Sequence, residues 1–249
     1  MSAGPREEVV IVHSSDLHLG ADYTREQSRP DTLSLLREVL AAAKIARADL
    51  VVLAGDTFEN NRLPSPLLEG AARIITEFRA PVVVLPGNHD PLTHDSVYRC
   101  GELAAVSNLC VLGYTVGEAA FFSDLDLEVW GRPHLDYSDM QPLCKPAGRS
   151  MRWQIAVAHG HYIEEAGEPG RLIASWLIAR EELVATCADY VALGHWNHAV
   201  RVGDHRIHAY YSGAPDYAGT VNVVRLKPES IVEVARAPLR PMPTPNEAK

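Results

Sequence analysis

VIVHSSDLHLG, residues 10–20, is the stretch that decides how this chain is read. Val10, Ile11 and Val12 form a short β-branched run, the composition of a strand buried on both faces. The run then opens into His13, Ser14, Ser15, Asp16 and His18, with Gly20 as turn punctuation. In an extended segment residues i and i+2 point to one side, so Asp16 and His18 can chelate one ion.

Four further stretches repeat this grammar: VVLAGDTFEN at 51–60, VVVLPGNHD at 82–90, IAVAHGH at 155–161 and VALGHWNH at 191–198. Each is an apolar strand ending on residues of metal-ligand type. Asp56 follows Gly55 straight after a buried strand, where a carboxylate has no apolar reason to sit. Asn88 and His89 occupy a Pro-Gly-Asn-His-Asp turn, and His159 and His195 close the last two runs. Singly, each ending is ordinary turn chemistry. Sites in open α/β sheets form outside the carboxyl ends of strands, so five such endings can converge on one crevice. A mixed carboxylate, imidazole and amide set suits Mn²⁺, Fe²⁺ or Zn²⁺ better than Ca²⁺ or Mg²⁺.

The remaining pattern is α/β. Residues 9–12, 50–53 and 82–85 read as strands, and residues 31–46 as a helix with Leu33, Leu36, Leu40 and Ala43 on one face. A second helix spans 66–78, with Pro66 in its first turn. From 109 to 130 shorter strands and turns take over. Strands at 155–158 and 190–193 flank an expected helix at 172–184, and β-rich segments at 206–211, 220–226 and 230–235 complete a mixed sheet arrangement. The 249 residues suffice for one substantial core. The expectation is a single catalytic domain at 1–236, followed by a poorly ordered Pro-rich tail at 237–249.

A formal charge of −9, from 32 acidic and 23 basic residues, disfavours a protein that wraps nucleic acid with a basic surface. A local basic groove stays compatible with it, and bound divalent ions would offset part of the charge. Cys100, Cys110, Cys144 and Cys187 form no CxxC pair and read as thiols in a reducing compartment. The apolar run at 9–12 is too short for a signal segment or a membrane span, which makes the cytoplasm the default location.

The series Asp16-Leu17-His18, Gly55-Asp56, Gly87-Asn88-His89-Asp90, His159 and Gly194-His195 resembles the calcineurin-like metallophosphoesterase superfamily across residues 9–226. Ser-Asp-Leu-His-Leu-Gly at 15–20, Leu-Pro-Gly-Asn-His-Asp-Pro at 85–91 and Tyr-Ser-Gly-Ala-Pro at 211–215 are similar to its DNA-repair exonuclease branch, typified by the nuclease subunit of the SbcCD complex. The resemblance implies a four-layer α-β-β-α sandwich with two mixed sheets, of the metallo-dependent phosphatase type. It further implies two divalent ions, most readily Mn²⁺. Asp16, His18 and the last motif residue would hold one ion, Asn88, His159 and His195 the other, and Asp56 would bridge both. Two such ions can lower the pKa of a bridging water and clamp phosphate oxygens during in-line attack. His89 is implied as the residue that protonates the leaving oxygen or stabilises charge on the phosphate. An ATPase partner subunit is implied by the same analogy.

Two features depart from the family pattern. The usual Gly-His-x-His reads Gly194-His195-Trp196-Asn197-His198 here, and i, i+2 geometry favours Asn197 over His198 as the last ligand unless the loop bulges. The branch also carries a further domain that helps to hold DNA, and the chain stops short of it. His13 is expected to pack in the core, His161 is a candidate for the crevice wall, and His94, His134, His205 and His208 read as surface or loop residues. Trp196 either stacks on a base or covers the rim. The leading functional reading is a phosphodiesterase acting on DNA ends or single strands. The alternatives are a phosphodiesterase or phosphatase for a small metabolite such as a cyclic nucleotide, and a non-catalytic scaffold of the same fold.

Overall fold

The computed structural model describes residues 8–21, 31–143, 148–164 and 175–239. Along the chain run β1 (Val9–Ser14), α1 (Ser34–Ala46), β2 (Leu50–Ala54), α2 (Ser65–Phe78), β3 (Val82–Leu85) and β4 (Leu109–Val111). Then come β5 (Ala119–Phe122), β6 (Leu127–Gly131), β7 (Trp153–His159), β8 (His161–Ile163), β9 (Leu177–Ala179), α3 (Arg180–Ala185) and β10 (Tyr190–Gly194). The chain continues through β11 (Val200–Val202), β12 (Ala209–Tyr211), α4 (Pro215–Ala218), β13 (Thr220–Lys227) and β14 (Ile231–Pro238).

Two six-stranded mixed sheets result, in the orders β14-β13-β1-β2-β3-β4 and β11-β12-β10-β7-β6-β5. In the first, β1 to β4 are parallel while β13 and β14 form antiparallel pairs. In the second, β12, β10, β7 and β6 are parallel and the two edge strands are antiparallel. Strand parity separates the layers. Val10 and Val12 of β1, like Val51 and Leu53 of β2, pack outward beneath α1 and α2. Val9, Ile11, Val52 and Val83 face inward against Val129, Ile155, Val157 and Ala192 of the second sheet. Ala156, Ala158, Val191 and Leu193 face the other way, under Ile178 and Leu183. Side chains alternate along a strand, and both faces of the central strands are covered, which is why those strands read as continuous apolar runs. The order of layers is α-β-β-α, the expected sandwich.

Several boundaries move for local reasons. Helix α1 starts at Ser34 rather than at 31, because the Asp31 carboxylate accepts the Leu33 N–H (3.0 Å) and turns the chain before the helix. The helix expected at 172–184 is present only from Arg180 onward; before it, Leu177–Ala179 pairs as a strand with His161–Ile163. Trp176 sits at φ 57° and breaks any helical run, and the Glu182 carboxylate accepts the Ala179 N–H (2.7 Å), so α3 begins only at Arg180. Residues 172–174 lie outside the described set. Strand β14 runs to Pro238, and the next residue, Leu239, packs against the outer core. The rest of the tail reading, residues 240–249, falls outside the described residues. Cys100, Cys110 and Cys187 are free thiols, and Cys144 is outside the described set. No helix among the described residues is long and apolar enough to cross a membrane.

Candidate metal centre

The carboxyl ends of β1, β2 and β3 in one sheet meet those of β7 and β10 in the other. The segment after β1 shows how sequence makes this happen. Leu17 and Leu19 are fully buried, so the alternating Asp-Leu-His-Leu run is pulled into the core by its leucines. Asp16 and His18 adopt φ 56° and 46°, left-handed rather than extended, so the i, i+2 premise does not describe this backbone. Backbone bonds hold this conformation: Asp16 N–H to Gly55 O, His18 N–H to Asp56 O and Leu19 N–H to Thr57 O, each 3.0 Å. Asp56 is left-handed too (φ 50°), and His195 lies at φ 104°. Such backbones cost about 1–3 kcal/mol each and persist where surrounding structure imposes them.

Glycines make the convergence sterically possible. A Cβ on Gly55 would lie 2.0 Å from His159 Nδ1, and one on Gly194 would lie 1.8 Å from the Ala54 carbonyl oxygen. The sequence reading treats these glycines as turn formers; their larger role is to let two sheets close on one site.

Among the described residues the ligand atoms form three groups: His18, Glu59 and His89 make one, and the other two share a carboxylate. Asp16, His18 and Asp56 offer atoms within 4.8 Å of one another, and so do Asp56, His159 and His195. His159 Nε2 lies 2.9 Å from Asn88 Oδ1 and 3.2 Å from Asp56 Oδ2. His195 N–H donates to both oxygens of Asp16 at 3.0 Å. Partner chemistry fixes the imidazole tautomers. His159 Nδ1 faces the Ala54 carbonyl (2.9 Å), His89 Nδ1 the Glu59 carbonyl (3.1 Å) and His18 Nδ1 the Glu59 carboxylate (2.9 Å). These oxygens only accept, so each Nδ1 carries a proton and each Nε2 is left to ligate or to exchange one.

Electrostatics agree. Burial pushes Asp16 up to about 6, with His159 opposing and Asp56 adding to the rise. Burial acts the same way on Asp56, yet His159, His89 and His18 together hold it below the usual carboxylate range. His159 rises to about 9: burial works against its charge, and Asp56 and Asp16 outweigh burial. Its extra proton sits on Nε2 between two oxygens, the position a cation would fill. Burial and the neighbouring His159 depress His195 to about 4, keeping it neutral, as a ligand must be. The donor set therefore fits divalent ions, with Asp56 common to two of its groups. His89 stands beside those two groups, with its N–H on Asp56 Oδ1 (2.9 Å) and its ring edge-on to His18 at 4.7 Å.

Other expected residues are placed as follows. Asn197 and His198 are exposed, and the His198 ring packs edge-on against Tyr217 at 4.8 Å. The positive φ of His195 removes the extended premise behind choosing Asn197. His161 accepts a hydrogen bond from the Trp196 indole (3.1 Å), and Trp196 stacks on Tyr211 at 4.6 Å, which assigns it to the wall of the crevice. His13 is buried as expected, with Nδ1 2.9 Å from the Tyr190 hydroxyl, and burial lowers it to about 3. His134 is not a surface residue: it is 1% exposed, and its Nε2–H supports the His159 carbonyl at 3.0 Å. Two carboxylates support these groups, Asp90 from within the quoted motif and Glu59 with no signal of its own in the sequence. Glu59 orients His18, and buried Asp90 ties the Asn88–His89 turn through Gly87 N–H (2.8 Å), Phe58 N–H (2.9 Å) and the Tyr98 hydroxyl (2.6 Å).

The calcineurin-like phosphoesterase family model matches residues 9–224, a span that contains every one of these groups. The chain belongs to the calcineurin-like phosphoesterase family. Membership makes this calcineurin-like phosphoesterase an enzyme of the class that hydrolyses phosphoesters. The SbcCD nuclease subunit of Bacillus subtilis (strain 168) is 28% identical over 264 aligned positions, covering 88% of this chain and 66% of that protein. The DNA double-strand break repair protein Mre11 of Archaeoglobus fulgidus is 33% identical over 105 positions, 40% of this chain and 24% of its own length. The chain thus spans less than two thirds of these relatives. Among solved structures, TT1561 of Thermus thermophilus superimposes with a TM-score of 0.56 at 13% identity, over 92% of this chain and 98% of that one, a likeness of fold.

Proposed function

We propose that this chain hydrolyses phosphodiester bonds using two divalent ions, most readily Mn²⁺. The observation that carries the reading is one buried carboxylate, Asp56, shared by two ligand groups with His89 bonded to it. Asp16 and His18, with Asn197 as the proposed last ligand, serve one ion, and Asn88, His159 and His195 the other. When bound, two such ions lower the pKa of water and neutralise phosphate oxygens. The protein's part is to fix these ligands on left-handed, hydrogen-bonded backbone and to hold His89 through Nδ1, so that its Nε2 can deliver a proton to the leaving oxygen.

Two substrate classes remain to be separated. One named relative above is a nuclease subunit and the other a DNA double-strand break repair protein, which supports DNA ends or single strands, with an ATPase partner in the cytoplasm by analogy. The loops around the crevice support a small phosphodiester instead. Residues 57–62, 88–95, 132–139, 160–164 and 195–199 carry Glu59, Asp95, Asp136, Asp139 and Glu164, besides the buried Asp90, against Arg62 and Arg132. A polyanion prefers the opposite balance. A hydrolysis panel with Mn²⁺ tests both, comparing an aryl phosphodiester, an aryl phosphomonoester, cyclic nucleotides and labelled single- and double-stranded DNA. Mn²⁺-dependent cleavage of the diester is expected. Its absence from every substrate would overturn the proposal, and DNA cleaved faster than cyclic nucleotides would choose the nuclease reading.

A further inference from the structure

The stretch Tyr211-Ser212-Gly213-Ala214 holds none of the proposed ligands, yet it touches three of the five loops that do. Tyr211 donates its hydroxyl to the Gly160 carbonyl (2.7 Å) and accepts the Tyr162 N–H (2.9 Å), gripping the turn after His159. Its ring carries Trp196, stacked within 7° of parallel. Gly213, at φ 76°, lies so close to the 197–199 segment that a Cβ would approach Asn197 O within 2.8 Å, and Ala214 N–H bonds that same carbonyl at 3.2 Å. Ser212 reaches the other sheet: its Oγ is 2.9 Å from Ser15 Oγ, and both residues are fully buried.

This last contact ties the two sheets together beside the first loop's carboxylate, because Ser15 immediately precedes Asp16. Either hydroxyl can donate in the Ser15–Ser212 pair, and Ser212 Oγ also lies 3.3 Å from the Gly213 carbonyl, which can accept from it. Both oxygens of the Asp16 carboxylate accept the His195 N–H from the last loop, so Ser15 and Asp16 are held to the second sheet side by side.

We propose that residues 211–214 form a brace that sets the first and last metal-bearing loops in register, with Ser212 a positioning residue that orients Asp16 through Ser15. The inference rests on the two-ion reading above and deepens it. It is distinct from ligation, because neither serine is among the proposed ligands.

The test is calorimetric titration of metal-free full-length protein with Mn²⁺, alongside thermal melting. Partners behind a ligand typically contribute 10–100-fold in metal affinity, so Ser15→Ala is expected to weaken one of the two ions by about that range, and Ser212→Ala by about tenfold. The double variant should lose no more than Ser15→Ala alone, because the two act in one chain. Ser212→Thr and Ser212→Val have the same shape but only Thr keeps the hydroxyl, so Thr should retain affinity that Val loses. Equal affinity in the Thr and Val variants, with only their melting temperatures lowered, would overturn the brace as an orienting device. If either fails to fold, Ser212→Ala and the double variant decide the matter through the same coupling. A parent that binds two ions while Ser212→Ala binds them equally well overturns this inference alone. A parent that binds no Mn²⁺ overturns the two-ion reading and this inference with it.

Discussion

His159 condenses the logic of the site into one side chain. Its Nδ1–H is committed to Ala54 in the opposite sheet, and its Nε2 faces Asn88 and Asp56. In the proposed reading a ring so fixed serves as a ligand, while His89, held through its Nδ1 and its backbone, serves as a proton carrier. His89→Ala is therefore expected to keep both ions and to slow turnover about 10²–10⁴-fold, the usual range for a lost general acid. Metal analysis beside kcat checks this, and an emptied site would show that His89 is itself a ligand. The 197–198 pair yields a second test. Because the His198 ring packs on Tyr217, His198→Ala should retain two ions and the parental Mn²⁺ affinity. Asn197→His should tighten the weaker ion, imidazole being the better donor for Mn²⁺. Loss of one ion in His198→Ala, with two retained in Asn197→Ala, would reverse that choice.

At the scale of elements, the strand endings were legible because a buried strand and a polar turn contrast sharply in sequence. Asp16, His18, Asp56, His159 and His195 all lie where that contrast is greatest, and the mutual approach of their ligand atoms follows. What stayed hidden depends on contacts between distant segments. Glu59 looks like any surface acid until His18 folds against it, and His134 like any loop histidine until the His159 carbonyl is found above it. The helix expected at 172–184 is shortened to its last turns for a related reason. Leu177, Ile178 and Ala179 carry apolar signals that suit either a helix face or a buried strand, and only pairing with β8 decides. Ile178 is fully buried in the outer cluster of the second sheet. Ile178→Ala should cost about 2–5 kcal/mol, as for other buried aliphatic truncations. Denaturant unfolding with an unchanged m-value measures it; a cost near zero would mean β9 does not pack there.

For the whole molecule, the two sheets close on a set of charges that do not balance until cations arrive. His159 is raised from 6.5 to about 9, so its contribution to folding is complete below pH 6.5 and disappears as pH climbs through 9. Asp16, raised from 3.8 to about 6, has the same sign and loses its contribution as pH passes 6. The metal-free protein should consequently melt at a lower temperature at pH 9 than at pH 7, a window that lies above the titration of the depressed His13, His134 and His195. Saturating Mn²⁺ should abolish or invert that slope, because an ion replaces the His159 proton and offsets Asp16. Calorimetric melts with chelator and with Mn²⁺ across this window check the sign. The same exchange of proton for metal should make Mn²⁺ affinity fall by about tenfold per pH unit below 9 for that one group.

The most direct test of the shared-carboxylate site is a calorimetric titration of metal-free protein with Mn²⁺, run on the parent and on Asp56→Ala. Two ions per chain in the parent, and loss of both in the variant, is the outcome that follows from one carboxylate serving two groups. A parent binding a single ion, or an Asp56→Ala variant that still binds two, would contradict it.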